Sequence, residues 1–512
     1  MESQSANNKR IVKNTILLYG RMVLLMAINL YTSRVVLANL GVEDFGIYNV
    51  VGGIVAMFTM ISGALSSSIS RFITYELGTG NVKRLNEIFS TSVTIQIIFS
   101  AILIILAETI GMWFLNHKLV IPEMRMSAAQ WVFQFSIIAF VINLISVPYN
   151  AAIIAHEKMS AFAYISIVEA IGKLSIAWLI SFASMDKLVL YALLICAVAV
   201  VVRIIYGIYC ARNFRECKYR LVFDKSLLSQ MFSFAGWNMI GATSAILRDQ
   251  GGNILINLFG GPVVNAARGI AFQVNHAILG FVQNFQTALN PQIIKNYASQ
   301  NYDYMRQLVF QGSRFSYYIL FFISFPIFVC THYVLQLWLG VVPEHTVLFI
   351  RLVIVFSLFE ALSGPLITAM YATGKVKMYQ ICVGGLQMLN FPISYLLLKL
   401  GGIPETIMFV AIGISLVCLW ARLILLKSMI GISPWLYIYK VFFNCLLITI
   451  TTAFFPLFLQ SKMQENLPSF IILTMVSMGI SFACILYVGC NQTERKMFFS
   501  KVKAIYREKF LK

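Results

Sequence analysis

Long apolar runs recur about every 35 residues along the chain, each long enough to cross a bilayer as a helix, without the alternating pattern of a transmembrane barrel. The pattern predicts an all-α polytopic membrane protein with about 14 transmembrane helices. The first six spans cover about 15–37, 48–70, 88–115, 131–155, 161–183 and 188–211; six more follow, and the last two cover about 437–459 and 469–490.

One stretch departs from this uniform apolarity: LFGGPVVNAARGIAFQVNHAILGFVQNFQTALNP, Leu258 to Pro291, in the predicted eighth span. If 266–290 is one helix at about 100° per residue, then Arg268, Gly269, Gln273, Asn275, His276, Gly280, Gln283, Asn284, Gln286, Thr287 and Asn290 share half of the wheel. Apolar residues take the other half, and only Phe272 and Leu279 break the rule. Such a helix is about 37 Å long, enough to span, so its amide-rich face must meet something wet or polar inside the membrane. The second span carries a weaker stripe of Gly52, Thr59, Ser62, Gly63, Ser66 and Ser70, which close helix packing would also produce. Asn275, His276, Gln283, Gln286 and Asn290, with Thr59 and Ser66, are the candidate cavity-wall residues.

The second half of the chain repeats the first. At an offset of 217 residues, SVPYNAAIIAHEK (Ser146 to Lys158) falls on SGPLITAMYATGK (Ser363 to Lys375), matching Ser146, Pro148, Ala152, Ala155 and Lys158 with Ser363, Pro365, Ala369, Ala372 and Lys375. A proline inside a span is uncommon, so its recurrence with four flanking matches argues for a duplicated unit. At an offset of 220, Gly41 falls on Gly261 and Asn81 on Asn301. Six spans per unit make these parallel repeats. The predicted organisation is a cytoplasmic N-terminus at 1–14, an N-lobe at 15–211, a basic cytoplasmic linker at 212–228, a C-lobe at 229–427, two further spans at 437–490 and a basic amphipathic tail at 491–512. In the tail Phe498, Val502, Ile505 and Tyr506 alternate with lysines at helical spacing, as in a helix lying on the membrane surface.

Composition agrees: 59% of the residues are hydrophobic and only 12% charged, which no soluble core of this size tolerates. A net charge of +19 would suggest nucleic acid in a soluble chain. Here Lys and Arg concentrate in alternate loops, at Lys9, Arg10 and Lys13, at Lys83 and Arg84, and at Arg212, Arg215, Lys218, Arg220 and Lys225. The positive-inside rule then places both termini in the cytoplasm, and no nucleic-acid partner is expected. The nine cysteines follow no metal or disulfide spacing and read as small core residues. The first apolar run outlasts a signal peptide and has no small-residue cleavage site, so it is expected to stay.

A charge near the bilayer centre costs about 2.5–3.5 kcal/mol on insertion scales, so each one needs a reason. Glu169 and Lys173, four apart, read as a mutual pair. Arg314 is expected to snorkel to the inner surface, and Arg34 to be held by Glu43 and Asp44. Arg21, Arg248 and Arg268 lie on the first, seventh and eighth spans beside the polar faces. Arginine binds phosphate in a planar fork and keeps its charge, so these three are the candidate diphosphate-binding residues. Asp249 and Glu360 are the candidate carboxylates for a coupling cation, Na+ or H+. No Gly-rich phosphate loop, paired histidines or nucleophile elbow occurs, so neither an enzyme nor a resident cofactor or metal is expected.

The segments LANLGVEDFGIYNVVGG (Leu37 to Gly53), RFITYELGTG (Arg71 to Gly80), and GPVVNAARGIAFQVN with FQTALNPQIIKNYA (Gly261 to Ala298) resemble the polysaccharide flippases of O-antigen and capsule type, in the multidrug/oligosaccharidyl-lipid/polysaccharide exporter superfamily. The resemblance runs over nearly the whole chain. It implies a V-shaped pair of six-helix lobes around a central cavity, in the bacterial cytoplasmic (inner) membrane. The implied activity is movement of an undecaprenyl-diphosphate-linked oligosaccharide to the outer leaflet, with a lipid-tail groove at the last two spans. Implied partners are the lipid-linked oligosaccharide, membrane lipids, and the polysaccharide polymerase and chain-length machinery. Arg268 and Arg21 match, by region, arginines of those relatives. The alternative is a cation-coupled multidrug exporter of the same superfamily.

Overall fold

The computed structural model describes residues 2–56, 59–117, 121–182, 184–220, 222, 224–339, 342–496 and 499, with some helical side chains, including those of Thr59, Arg34 and Glu43, left outside the description. The amphipathic tail positions Phe498, Val502, Ile505 and Tyr506 also lie outside the described residues. In chain order the helices are α1 (Glu2–Ala56), α2 (Thr59–Thr79), α3 (Val82–His117), α4 (Glu123–Ala155), α5 (Met159–Phe182), α6 (Lys187–Asn213), α7 (Lys225–Ala298), α8 (Tyr302–Val329), α9 (Thr331–Leu339), α10 (Thr346–Thr373), α11 (Val376–Lys399), α12 (Thr406–Ile430), α13 (Pro434–Gln460) and α14 (Leu467–Gly489). The described residues hold no strand. The protein is an all-α membrane protein, and among the described residues eleven helices are long and apolar enough to cross a bilayer. The predicted second, seventh and eighth spans are helical over their described residues and are not among those eleven.

Two helical runs are too long to be straight rods. The 55 residues of α1 would extend about 80 Å and the 74 of α7 about 110 Å. In α1 the chain turns at Gly41, whose φ of 78° and ψ of 171° are non-helical, and Tyr48 returns to pack its ring 4.8 Å from Tyr191, in the cluster that also holds Val36. The connection predicted at 38–47 is therefore largely helical, because one left-handed glycine reverses the chain where a loop was expected. In α7, Arg268 donates to the side chain of Asn253. Fifteen residues of straight helix would separate them by about 22 Å. The run must fold back between them, where the sequence reads Phe259, Gly260, Gly261, Pro262. The seventh and eighth spans are thus the two arms of α7.

Cα proximity divides the chain into two compact units, one of Met1–Ala242 with Thr287–Asn301, the other of Thr243–Gln286 with Tyr302–Lys512. The apolar core of the first is built on Leu103, Leu115, Val132, Phe133, Ile137 and Leu188 from α3, α4 and α6. The repeat read from the sequence reappears in backbone geometry. Pro148 lies within α4 and Pro365 within α10. The residues that begin the next helices, Lys158 (φ −83°, ψ 58°) and Lys375 (φ −85°, ψ 55°), have nearly identical dihedrals. Just before them, Glu157 (φ 59°) and Gly374 (φ 73°) both adopt the left-handed conformation. Glycine does so freely, whereas an L side chain there costs roughly 1–2 kcal/mol.

Asp44 is held by Arg125 through two bonds of 2.8 and 2.5 Å, and Arg125 also reaches Asp186 at 2.6 Å. The planar fork of Arg125 holds the carboxylate of Asp44, and the pairing expected of Arg34 with Glu43 and Asp44 lies outside the described side chains. Arg314, expected to snorkel, is half-buried and donates to Glu494 at 2.6 Å and to the Gly489 carbonyl at 3.1 Å, so the start of the tail brings it a counter-charge. Glu169 and Lys173 pair at 2.6 Å as expected. All nine cysteines are free.

Candidate functional site

The fold-back of α7 concentrates charge in the second unit. Arg268, at 3% exposed, opens the second arm. Its guanidinium lies 4.3 Å over the Phe272 ring and donates to Asn253, and its Nε is buried with no hydrogen-bond partner. Gly252 on the first arm makes this approach feasible, since a Cβ there would stand 3.0 Å from Arg268 Nη2. One turn earlier Arg248 donates to Asp249 at 2.9 Å and stacks 5.0 Å over Phe356. Glu360 of α10 accepts from Ser415 at 2.6 Å.

Beside Glu360 lies a residue that the sequence reading passed over. Arg422 of α12 is 1% exposed and donates to Ser363 at 2.8 Å. It interacts electrostatically with Glu360 and Tyr379, Arg248 interacts with Asp249, Glu360 and Arg422, and Arg268 with Asp249 and Arg248. Three arginines thus share two carboxylates. The excess positive charge, with an unused donor on Arg268, suits an anion better than a cation. The signal for Arg422 was present, an arginine in an otherwise apolar run.

The amide face of the eighth span divides in two. Asn275 is buried and accepts from Ser357 at 2.7 Å. Gln286 donates to Ser316 at 3.2 Å and presses on Gly364, where a Cβ would come within 2.1 Å of its Nε2. Gln273, His276 and Gln283 are exposed on one stripe together with Gly269, while Asn290 is half-buried and belongs to the first unit. The polar wheel therefore serves packing through Asn275 and Gln286, and open space through Gln273, His276 and Gln283.

Arg21 belongs to the first unit. Its guanidinium stacks 4.3 Å over Phe162 and interacts electrostatically with Tyr206 and Glu169, and its Nε has no hydrogen-bond partner. Ser66 of α2 is half-buried, one turn from Gly63, which is exposed. Of the three predicted diphosphate ligands, the structure brings together Arg248 and Arg268.

Residues 11–297 match the family described as Polysaccharide biosynthesis protein. Solved structures share the fold at low identity. A MATE in complex with MaD3S is 12% identical with a TM-score of 0.71, covering 83% of this chain and 97% of that one. An outward-facing multidrug resistance MATE family transporter of the MOP superfamily is 13% identical with a TM-score of 0.67, covering 83% and 96%. The MATE transporter ClbM in complex with Rb+ is 14% identical with a TM-score of 0.66, covering 84% and 96%. A search of curated protein sequences finds no match.

Proposed function

Since the chain belongs to the polysaccharide biosynthesis protein family, we propose that it is a flippase that moves undecaprenyl-diphosphate-linked oligosaccharide units from the inner to the outer leaflet of a bacterial cytoplasmic membrane, for surface polysaccharide such as O-antigen or capsule. It would have fourteen spans and both termini in the cytoplasm. The observation that carries this reading is Arg268, buried at the head of a polar-faced arm with an unpartnered donor and a second arginine, Arg248, beside it. Such a pair accepts a diphosphate, which offers several oxygens and a charge to match.

In this mechanism Arg248 and Arg268 hold the diphosphate, and Arg21 remains the first unit's own candidate ligand for it. The glycan lies along the exposed amides of Gln273 and Gln283 and the imidazole of His276, and the lipid tail stays in the bilayer. Alternating access then reopens the site outward. With the inside negative, outward movement of the diphosphate is favoured by about 2.3 kcal/mol per charge per 100 mV. Return of the positively charged empty carrier is favoured by the same potential, and an inward cation at Asp249 or Glu360 would add to that drive.

The MATE fold favours a second reading, a cation-coupled multidrug exporter. A cationic drug calls for acidic and aromatic groups in the site, and three arginines facing two carboxylates weigh against it. Replacing Arg268 by Ala tests the first reading: glycan display at the cell surface should fall at least tenfold at equal protein level. Unchanged display would sink it, and heightened drug sensitivity on deletion would favour the second.

A further inference from the structure

Glu157 stands in the left-handed turn that Gly374 occupies in the second repeat, so the turn itself does not demand a side chain there. Its carboxylate is only 1% exposed yet serves three donors: Lys295 Nζ at 2.6 Å, Gln292 Nε2 at 2.7 Å and Arg10 at 3.5 Å. Its carbonyl accepts from Asn14 at 3.4 Å. One buried acid thus gathers the start of α1, the α4–α5 turn and the last turns of α7, all within the first unit. The same end of α7 lies so close to α2 that a Cβ on Gly78 would stand 2.6 Å from Ala298 Cβ. Two cations share one carboxylate, and both Arg10 (57% exposed) and Lys295 (24%) keep a face to solvent.

We propose that Glu157 is a placeholder anion. In the empty carrier it occupies Lys295 and Arg10, and the diphosphate of the lipid-linked substrate, arriving from the cytoplasm, takes these cations from it. The exchange frees the end of α7. The proposal rests on the flippase reading above. A diphosphate accepts from several donors at once and carries more charge than a single carboxylate, so it competes for both cations. Buried Glu157 is then left with Gln292 alone, which favours parting of the whole cluster.

The test uses the full-length protein in phosphatidylcholine nanodiscs, with farnesyl diphosphate as the probe. Hydrogen exchange at 292–298 should rise several-fold when the probe binds. Glu157→Gln should show that faster exchange without probe and bind farnesyl diphosphate about tenfold tighter, since its competitor is gone, whereas Lys295→Met should bind about tenfold weaker. Glu157→Gly, which installs the residue of the second repeat, should behave as Glu157→Gln and guards against a folding defect. A merely structural clasp predicts equal or weaker binding in both Glu157 variants, and that result would overturn the proposal. A response of equal size to inorganic pyrophosphate overturns its assignment to a lipid-borne head group. If farnesyl diphosphate binds and depends on Arg268 but leaves 292–298 unchanged, the latch falls and the flippase reading stands. If no form binds farnesyl diphosphate, both fall.

Discussion

Gly364 and Gln286 are a matched pair, and their contact decides how Gln286 should be read. A methyl group at 364 would meet the Gln286 amide at 2.1 to 2.6 Å and force it from its bond to Ser316. Gly364→Ala should therefore lower stability by about 1–3 kcal/mol, and adding Gln286→Ala should restore most of it, as thermal unfolding in detergent would record. A double variant no more stable than the single would mean that backbone, not Gln286, sets the clash. Arg422 has similar leverage. Arg422→Ala takes one of two arginines from half-buried Glu360, leaving it Ser415 and Arg248, and should cost about 1–3 kcal/mol, whereas Arg422→Met with Glu360→Gln should cost less. Neither residue was fully legible in the sequence. The wheel placed Gln286 on the polar half but could not say that Ser316 would claim it, since that contact joins residues 30 apart. Glu157 was closer to view, because the same 217-residue offset that paired Lys158 with Lys375 sets it on Gly374.

At the scale of elements, periodicity served well where the chain is apolar and less well where it turns. The bounds of α5 and α6 fall within two residues of those read from their runs, but Gly41 and the fold-back of α7 replace connections with single-residue or glycine-rich reversals that hydropathy does not register. The basic linker after α6 is another such case, because side chains dock it. His156 stacks on Phe214 with ring centroids 4.1 Å apart and pairs with Glu216, and Asn86 donates to the carbonyls of Glu216 and Lys218 at 2.7 and 2.8 Å. Burial pushes the Glu216 carboxyl up, but hydrogen bonds from His156 and the backbone, with the His156 charge, outweigh it and hold the group below the ordinary carboxylate value. A depressed carboxylate stabilises the fold above its unfolded pKa, and that contribution is lost as pH falls through the folded one. Thermal stability of the wild type should thus drop on acidification below about pH 4.5. Glu216→Gln should remove part of that dependence, and an identical pH profile in the variant would count against the linkage.

On the scale of the whole molecule, the two repeats share a turn and a proline helix but not their charges. The second unit holds the Arg248, Arg268 and Arg422 cluster, and the first holds Arg21 and the Glu157 clasp. That inequality suits a carrier whose cargo is anionic at one end, since each repeat can then act on a different stage of its passage. The folded-back α7 bears further on how the chain reaches the membrane at all. An arginine that enters the bilayer without a partner is unfavourable by up to about 2.5–3.5 kcal/mol. Only when residue 268 has been synthesised can its guanidinium meet Asn253 and stack on Phe272. The second arm should accordingly depend on the first to enter the membrane, so that chains lacking the first arm hold the second outside the lipid.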